Sequence, residues 1–191
     1  MQKIETVFLR DPAKPKYVTR EVNPNCKWVV DGEGWATRKW DGTCCLIRDS
    51  VFYRRHEWDK SKGEPPTGWI HHTFDPAQRS GHGWVPVTVH PADRLHMEGY
   101  NNSTAPAADA PRWLPDGTYE LCGPNVQKNP EGLDRLMLVR HGAEQYPDVP
   151  RDFDGLAAWL APLNIEGLVF YHPDGRMAKI KRRDFPTQKQ A

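Results

Sequence analysis

No stretch of this chain approaches the roughly 18 apolar residues that a membrane span needs, so a soluble protein is expected. Charge of one sign is also missing. Lys and Arg number 26 against 25 Asp and Glu, a formal net charge of +1. That balance excludes a uniformly basic nucleic-acid binder and leaves only local clustering for such a role. Cysteine is scarce: Cys26, Cys44, Cys45 and Cys122 form no CxxC pair and no regular framework. The N-terminus shows no apolar signal-peptide stretch, so a reducing, cytoplasmic setting is expected. Repeats and low-complexity tracts are lacking, apart from a brief Pro/Ala loop from Ala105 to Pro111.

What is present is one domain's worth of chain. At 191 residues a single domain over 1–191 can bury a core without metal or disulfide support. One basic cluster stands out, where Arg176, Lys179, Lys181, Arg182, Arg183 and Lys189 face the single acid Asp184. By pattern, Trp28 to Val30 and Gly34 to Lys39 are short strands around Asp31-Gly32. Thr43 to Arg48 and Val51 to Arg55 form a hairpin joined at Asp49-Ser50. Glu57 to Pro111 has poor periodicity, apart from a strand over Gly83 to Val89, and is expected to be a loop-rich, substrate-facing insertion at about 57–111. Gly117 to Cys122 and Leu136 to Arg140 are further strands. A helix capped by Asp152 or Asp154 carries Phe153, Leu156, Ala157 and Leu160. Gly167 to Tyr171 and Arg176 to Lys181 are joined by His172-Pro173-Asp174-Gly175, a strong hairpin signal.

Three features carry chemistry. Lys39-Trp40-Asp41-Gly42 sets a lysine at a strand end, where it can attack a nucleotide α-phosphate and hold the nucleotide as a phosphoramidate. Glu120 lies within an apolar strand on the face of Thr118 and Cys122, and Glu166 immediately precedes another; a carboxylate so placed needs a partner such as a hydroxyl or a cation. Alternation in Met177-Ala178-Lys179-Ile180-Lys181 puts both lysines on one face, where they suit a phosphate and lower the pKa of a neighbouring lysine.

The order Lys-x-Asp-Gly, Tyr119-Glu120-Leu121-Cys122-Gly123-Pro124, Glu166-Gly167-Leu168-Val169-Phe170, Lys179-x-Lys181 resembles motifs I, III, IV and V of the covalent nucleotidyltransferase superfamily. Lys39-Trp40-Asp41-Gly42-Thr43-Cys44-Cys45 and Asn125-Val126-Gln127 look most like the single-domain ATP-dependent RNA ligase 1 family, with similarity from about Trp28 to Phe185. The resemblance implies an α+β adenylation domain of two packed antiparallel sheets flanked by short helices, with ATP between them. It implies Lys39 as the adenylated nucleophile, Asp41 and Gly42 shaping its loop, and Glu120 on the ribose. Glu166 would hold a divalent cation or the ribose, with Glu120 a second metal candidate, and Lys179 and Lys181 the α-phosphate. One of Arg54 and Arg55 would take a phosphate. Mg²⁺, which Mn²⁺ could replace, would accompany ATP.

The implied reaction is lysine adenylation, AMP transfer to an RNA 5′-phosphate and joining to a 3′-hydroxyl, as in RNA repair. Ten residues follow Lys181, leaving no room for an OB domain, so the catalytic domain itself should grip RNA. Arg54, Arg55, Lys60, Lys62, Gln127, Arg182 and Arg183 are the candidates, with Trp58, Trp69 and Trp84 available for stacking. The alternatives are an ATP-dependent DNA ligase-like enzyme and a non-catalytic RNA-end-binding module. Arg140-His141-Gly142 matches a histidine-phosphatase signature, but only 49 residues follow it; His141 is expected in a loop, within possible reach of the nucleotide. His71, His72, His82, His90 and His96 fit no zinc spacing and are expected in surface or packing roles. Cys44 and Cys45 are expected as small core or pocket-wall residues.

Overall fold

Strands begin almost at once in the computed structural model, which describes residues 4–59, 61, 63–75, 80–104 and 113–186. β1 (Glu5–Thr6) is followed by β2 (Phe8–Arg10), which pairs antiparallel with β3 (Val18–Val22) in a small sheet of its own. Asn23 then caps a 3₁₀ turn at Pro24–Cys26 by accepting from the Asn25 amide at 3.1 Å. The turn runs into α1 (Lys27–Val30). The expected strand at Trp28 to Val30 is therefore a helical turn. A side-chain cap followed by the fixed φ of proline starts a helix here, and tertiary burial of Trp28 and Val29 keeps it. β4 (Trp35–Lys39) ends on the candidate nucleophile.

Among the described residues, 41–141 form one compact unit and 4–40 with 142–186 another. The first unit is a six-stranded antiparallel sheet. β5 (Thr43–Arg48) and β6 (Val51–Asp59) meet at Asp49-Ser50, both left-handed (φ 52° and 63°), the backbone that a tight two-residue hairpin turn demands. β7 (Ile70–Asp75), β8 (Ser80–Pro86), α2 (Arg94–Thr104), β9 (Gly117–Cys122) and β10 (Met137–Arg140) complete it, in the order β10-β9-β5-β6-β8-β7. Among its described residues, the expected loop-rich stretch at 57–111 is thus largely regular structure. Histidines, glycines and prolines mask the strand alternation there, and α2 turns only a few apolar residues, Leu95 and Tyr100 among them, towards the core. That core holds Ile47, Phe52, Tyr119, Leu121, Leu136 and Leu138.

The chain returns to the second unit with β11 (Gln145–Tyr146) and α3 (Phe153–Leu160), the latter capped by Asp152, which accepts from the Gly155 amide at 2.8 Å. β12 (Gly167–Tyr171) and β13 (Met177–Lys181) form the expected hairpin. The five-stranded order is β1-β13-β12-β4-β11. Its β1–β13 edge is parallel, so the expectation of two wholly antiparallel sheets is corrected by a mixed sheet and by the separate β2–β3 pair. Phe8, Trp28, Leu156, Leu160, Leu168, Phe170 and Ile180 fill the core of this unit. The protein is of the α+β class, with three sheets and short helices; none of the described helices is long and apolar enough to cross a membrane.

Candidate functional site

Three neighbouring strands of the second unit place Lys39, Gly167 and Lys181 in one row: Gly167 pairs with Lys39 on β4 and with Lys181 on β13. Gly167 has to be small, because a Cβ there would lie 2.1 Å from the Ile180 carbonyl oxygen. Glu166, the residue before β12, consequently falls between the two lysines. One carboxylate oxygen meets Lys39 Nζ, and the other meets Lys181 Nζ. Lys179 lies two residues from Lys181, on the same face, while Ala178 and Ile180 are fully buried in the core, as alternation predicts.

The charges do not balance. Lys39, Lys179 and Lys181 face one carboxylate that is 6 % exposed, and Arg183 approaches that carboxylate at 3.9 Å. Burial would raise the Glu166 pKa, but the Lys39 charge and hydrogen bonds from Lys181 and Lys39 outweigh it and hold the carboxyl below its usual range. Lys179 forms no ion pair among the described residues. Burial, then the charges of Lys181 and Lys39, depress its pKa to about 8. Protonated Lys179 therefore costs stability below about pH 8, a cost relieved as pH rises towards the ordinary lysine value. An arriving phosphate supplies the missing counter-charge. If a nucleotide phosphate binds here, affinity for AMP, whose phosphate is dianionic throughout that range, is expected to fall by up to ~10-fold per pH unit above that point. Calorimetry should show this, and Lys179→Met should flatten the profile.

Beside these lysines the second unit has an open cavity of about 1220 Å³, whose lining includes Arg10, Lys16, Arg20, Lys179, Lys181 and Arg183. Asp184 organises this wall. Buried, it accepts from the Lys181 amide at 2.9 Å and pairs with Arg10 at 2.8 Å, so the lone acid of the basic run is structural. Arg182 and Arg183 are both exposed; Arg182 donates to the Leu163 carbonyl at 2.6 Å.

The remaining candidates lie in the first unit. Gly42 donates its amide to Glu120 at 3.1 Å and Asp41 its amide to Glu131 at 2.8 Å, which fixes the turn after Lys39-Trp40. A Cβ on Gly42 would sit 2.2 Å from the Leu121 carbonyl oxygen, so no other residue fits that turn without displacing β9. Glu120 also accepts from His141 Nε2 at 2.8 Å, and His141 Nδ1 meets the Thr118 hydroxyl at 3.0 Å. The carboxylate is thus satisfied by an imidazole and a backbone amide rather than by the hydroxyl or cation expected, and Thr118 shares its face as expected. Glu131 and the His141–Glu120 contact join residues far apart in sequence, and no local pattern announces them.

Strand register separates Arg54 from Arg55. Cys45 pairs with Arg54 and points into the core, so Arg54 shares the core face; Arg55 takes the opposite face, that of Cys44 and Glu120. Arg54 is committed to Asp93 at 2.7 Å, and Asp93 is 4 % exposed. Burial would raise the Asp93 pKa, yet bonds from Thr88 and Arg54 hold it below its ordinary value. Arg54→Ala should therefore destabilise the protein by ~2–3 kcal/mol in denaturant titration, because it strands a buried carboxylate. Arg55→Ala should stay within ~0.5 kcal/mol, as an exposed substitution does.

Of the other RNA candidates, Gln127 is exposed on a turn with left-handed backbone (φ 46°), and Lys60 and Lys62 lie outside the described residues. Trp84 is only 5 % exposed and is a packing residue, not a stacking platform. Trp58 and Trp69 contact each other with ring centroids 6.4 Å apart. Among the described residues, the metal-compatible donor group is Cys44, Glu120 and His141 rather than the five histidines of 71–96. The chain matches no protein-family model and no curated protein.

Proposed function

We propose that the chain is an ATP-dependent RNA ligase that works through a lysyl-AMP intermediate. The observation that carries this reading is the row of Lys39, Glu166 and Lys181 with Lys179 beside it: an excess of half-buried ammonium groups around a lysine that ends a strand. Such a cluster favours a phosphate over any neutral ligand. In the proposed first step Lys39 gives up a proton, for which the Glu166 carboxylate in contact with it is the nearest acceptor. The neutral amine attacks the α-phosphorus, a P–N bond forms, and the bond to the pyrophosphate oxygen breaks. Lys179 and Lys181 stabilise the charge that develops on the phosphoryl oxygens.

AMP then passes to an RNA 5′-phosphate, and a 3′-hydroxyl displaces it to form the phosphodiester. Glu120 is assigned to the ribose hydroxyls, Arg55 to a phosphate, and Arg183 and Gln127 to the RNA strand. The residues at hand do not form the oxygen-rich cage of a protein-built Mg²⁺ site, since lysines engage both oxygens of Glu166, and His141 and Gly42 engage those of Glu120. We therefore assign no step to a protein-held ion; hard cations commonly enter on the nucleotide phosphates.

The test offers a 5′-phosphorylated single-stranded RNA and a nicked DNA duplex with ATP and Mg²⁺. Lengthened or circular RNA with the DNA left open is the expected outcome. Sealing of the DNA alone would replace this reading with the DNA ligase one, and nucleotide binding without any transfer would favour the non-catalytic module.

A further inference from the structure

We infer that Cys44, Glu120 and His141 form a binding site for a soft divalent cation of the zinc class. Cys44 on β5 and Glu120 on β9 are direct cross-strand partners, so their side chains leave the same face of the sheet side by side. His141 follows β10, its amide bonded to the Thr118 carbonyl at 3.1 Å, which brings the imidazole to the same spot. The cysteine sulfur, a carboxylate oxygen and a ring nitrogen all lie within 4.8 Å of one another.

The residue types match the ion. Thiolate and imidazole select zinc-like metals over Mg²⁺, and three protein ligands leave the fourth tetrahedral position open to water. The imidazole is already oriented, because the Thr118 hydroxyl holds Nδ1 and leaves Nε2 facing Glu120. A ligand histidine needs such an outer partner. The hydroxyl serves either tautomer, accepting from Nδ1–H when the metal takes Nε2. Loading releases one proton to solvent, that of the Cys44 thiol; the imidazole proton only moves from Nε2 to Nδ1. Cys45, next in sequence, points into the core, where it is fully buried and serves as a packing residue.

The site shares Glu120 with the ribose assignment, so a bound ion would draw that carboxylate away from the nucleotide; its test does not depend on ligation, because metal binding alone reports on it. The full chain, stripped with a chelator, is titrated with Co²⁺. One equivalent should bring up a thiolate-to-cobalt charge-transfer band and tetrahedral visible bands, and Zn²⁺ should displace both. Cys44→Ser should abolish the charge-transfer band, His141→Ala should weaken binding at least ~10-fold, and Cys26→Ser, in the core of the other unit, should change neither. In the unmutated chain, Zn²⁺ should slow iodoacetamide modification of Cys44 at least ~10-fold, read by peptide mass spectrometry. A wild-type chain without the band, a band that survives Cys44→Ser, or alkylation indifferent to Zn²⁺ would each overturn the assignment.

Discussion

Lys39→Ala is expected to abolish covalent labelling when the protein is incubated with ATP radiolabelled at its α-phosphate and run on a denaturing gel. In the proposed first step one amine makes the P–N bond. Its neighbours cannot replace it: Lys181 holds the other oxygen of Glu166, and both Lys179 and Lys181 lie on β13, separated from β4 by β12, so neither occupies the strand end from which Lys39 points. The loss should be ~10⁴-fold or more, as for removal of a covalent nucleophile. Lys39→Arg should be as inactive, because a guanidinium stays protonated at any working pH. Lys179→Ala and Lys181→Ala should slow labelling by ~10²–10³ and leave it detectable, since each removes one stabilising contact and keeps the nucleophile. All four chains should give closely similar circular-dichroism spectra, because Lys39, Lys179 and Lys181 lie on the sheet face opposite the core.

Glu166→Ala carries the second large effect, on stability. The carboxylate is 6 % exposed and is in contact with two lysines. Its removal leaves three half-buried ammonium groups with no acid between them. Breaking a buried pair from one side costs about 3–5 kcal/mol, so chemical denaturation of Glu166→Ala should show a loss of that order. Added phosphate should recover part of it by supplying the missing anion. A loss below ~1 kcal/mol would show that the cluster is effectively solvated.

The same group has a pH signature. Its folded pKa lies below the unfolded one, so its contribution is fully present above the unfolded carboxylate value and disappears as pH falls through the depressed folded value. Glu166→Gln should flatten this acid limb of the stability profile.

Local signals wrote much of this fold into the sequence. Asp49-Ser50 and His172-Pro173-Asp174-Gly175 announce their hairpins because turn chemistry is local. Alternation in Met177–Lys181 sorts its lysines from its core residues for the same reason. Trp28–Val30 misleads because three bulky apolar residues have strand propensity, while the signal that overrides it, Asn23-Pro24, lies just upstream. α2 is hard to see because it interrupts its apolar stripe with Gly99 and asparagines.

At the site, the grouping of Lys39, Glu166 and Lys181 follows from motif order and from the strand row that β4, β12 and β13 create. The choice of Arg55 over Arg54 needed the β5–β6–β9 register, because a one-residue step reverses the face and the sequence offers both. Asp184 carried a signal that was open to notice, a single acid among six bases. The pairing of His141 with Glu120 had none, because it depends on β9 and β10 being neighbours.

The most direct test of the central claim is peptide mass spectrometry of the wild-type chain after incubation with ATP and Mg²⁺. The account predicts AMP attached to the Lys39 side chain, released by acid and stable to base, as a phosphoramidate is. AMP on any other residue, or an unmodified Lys39 across ATP, GTP and NAD with Mg²⁺ or Mn²⁺, would contradict it.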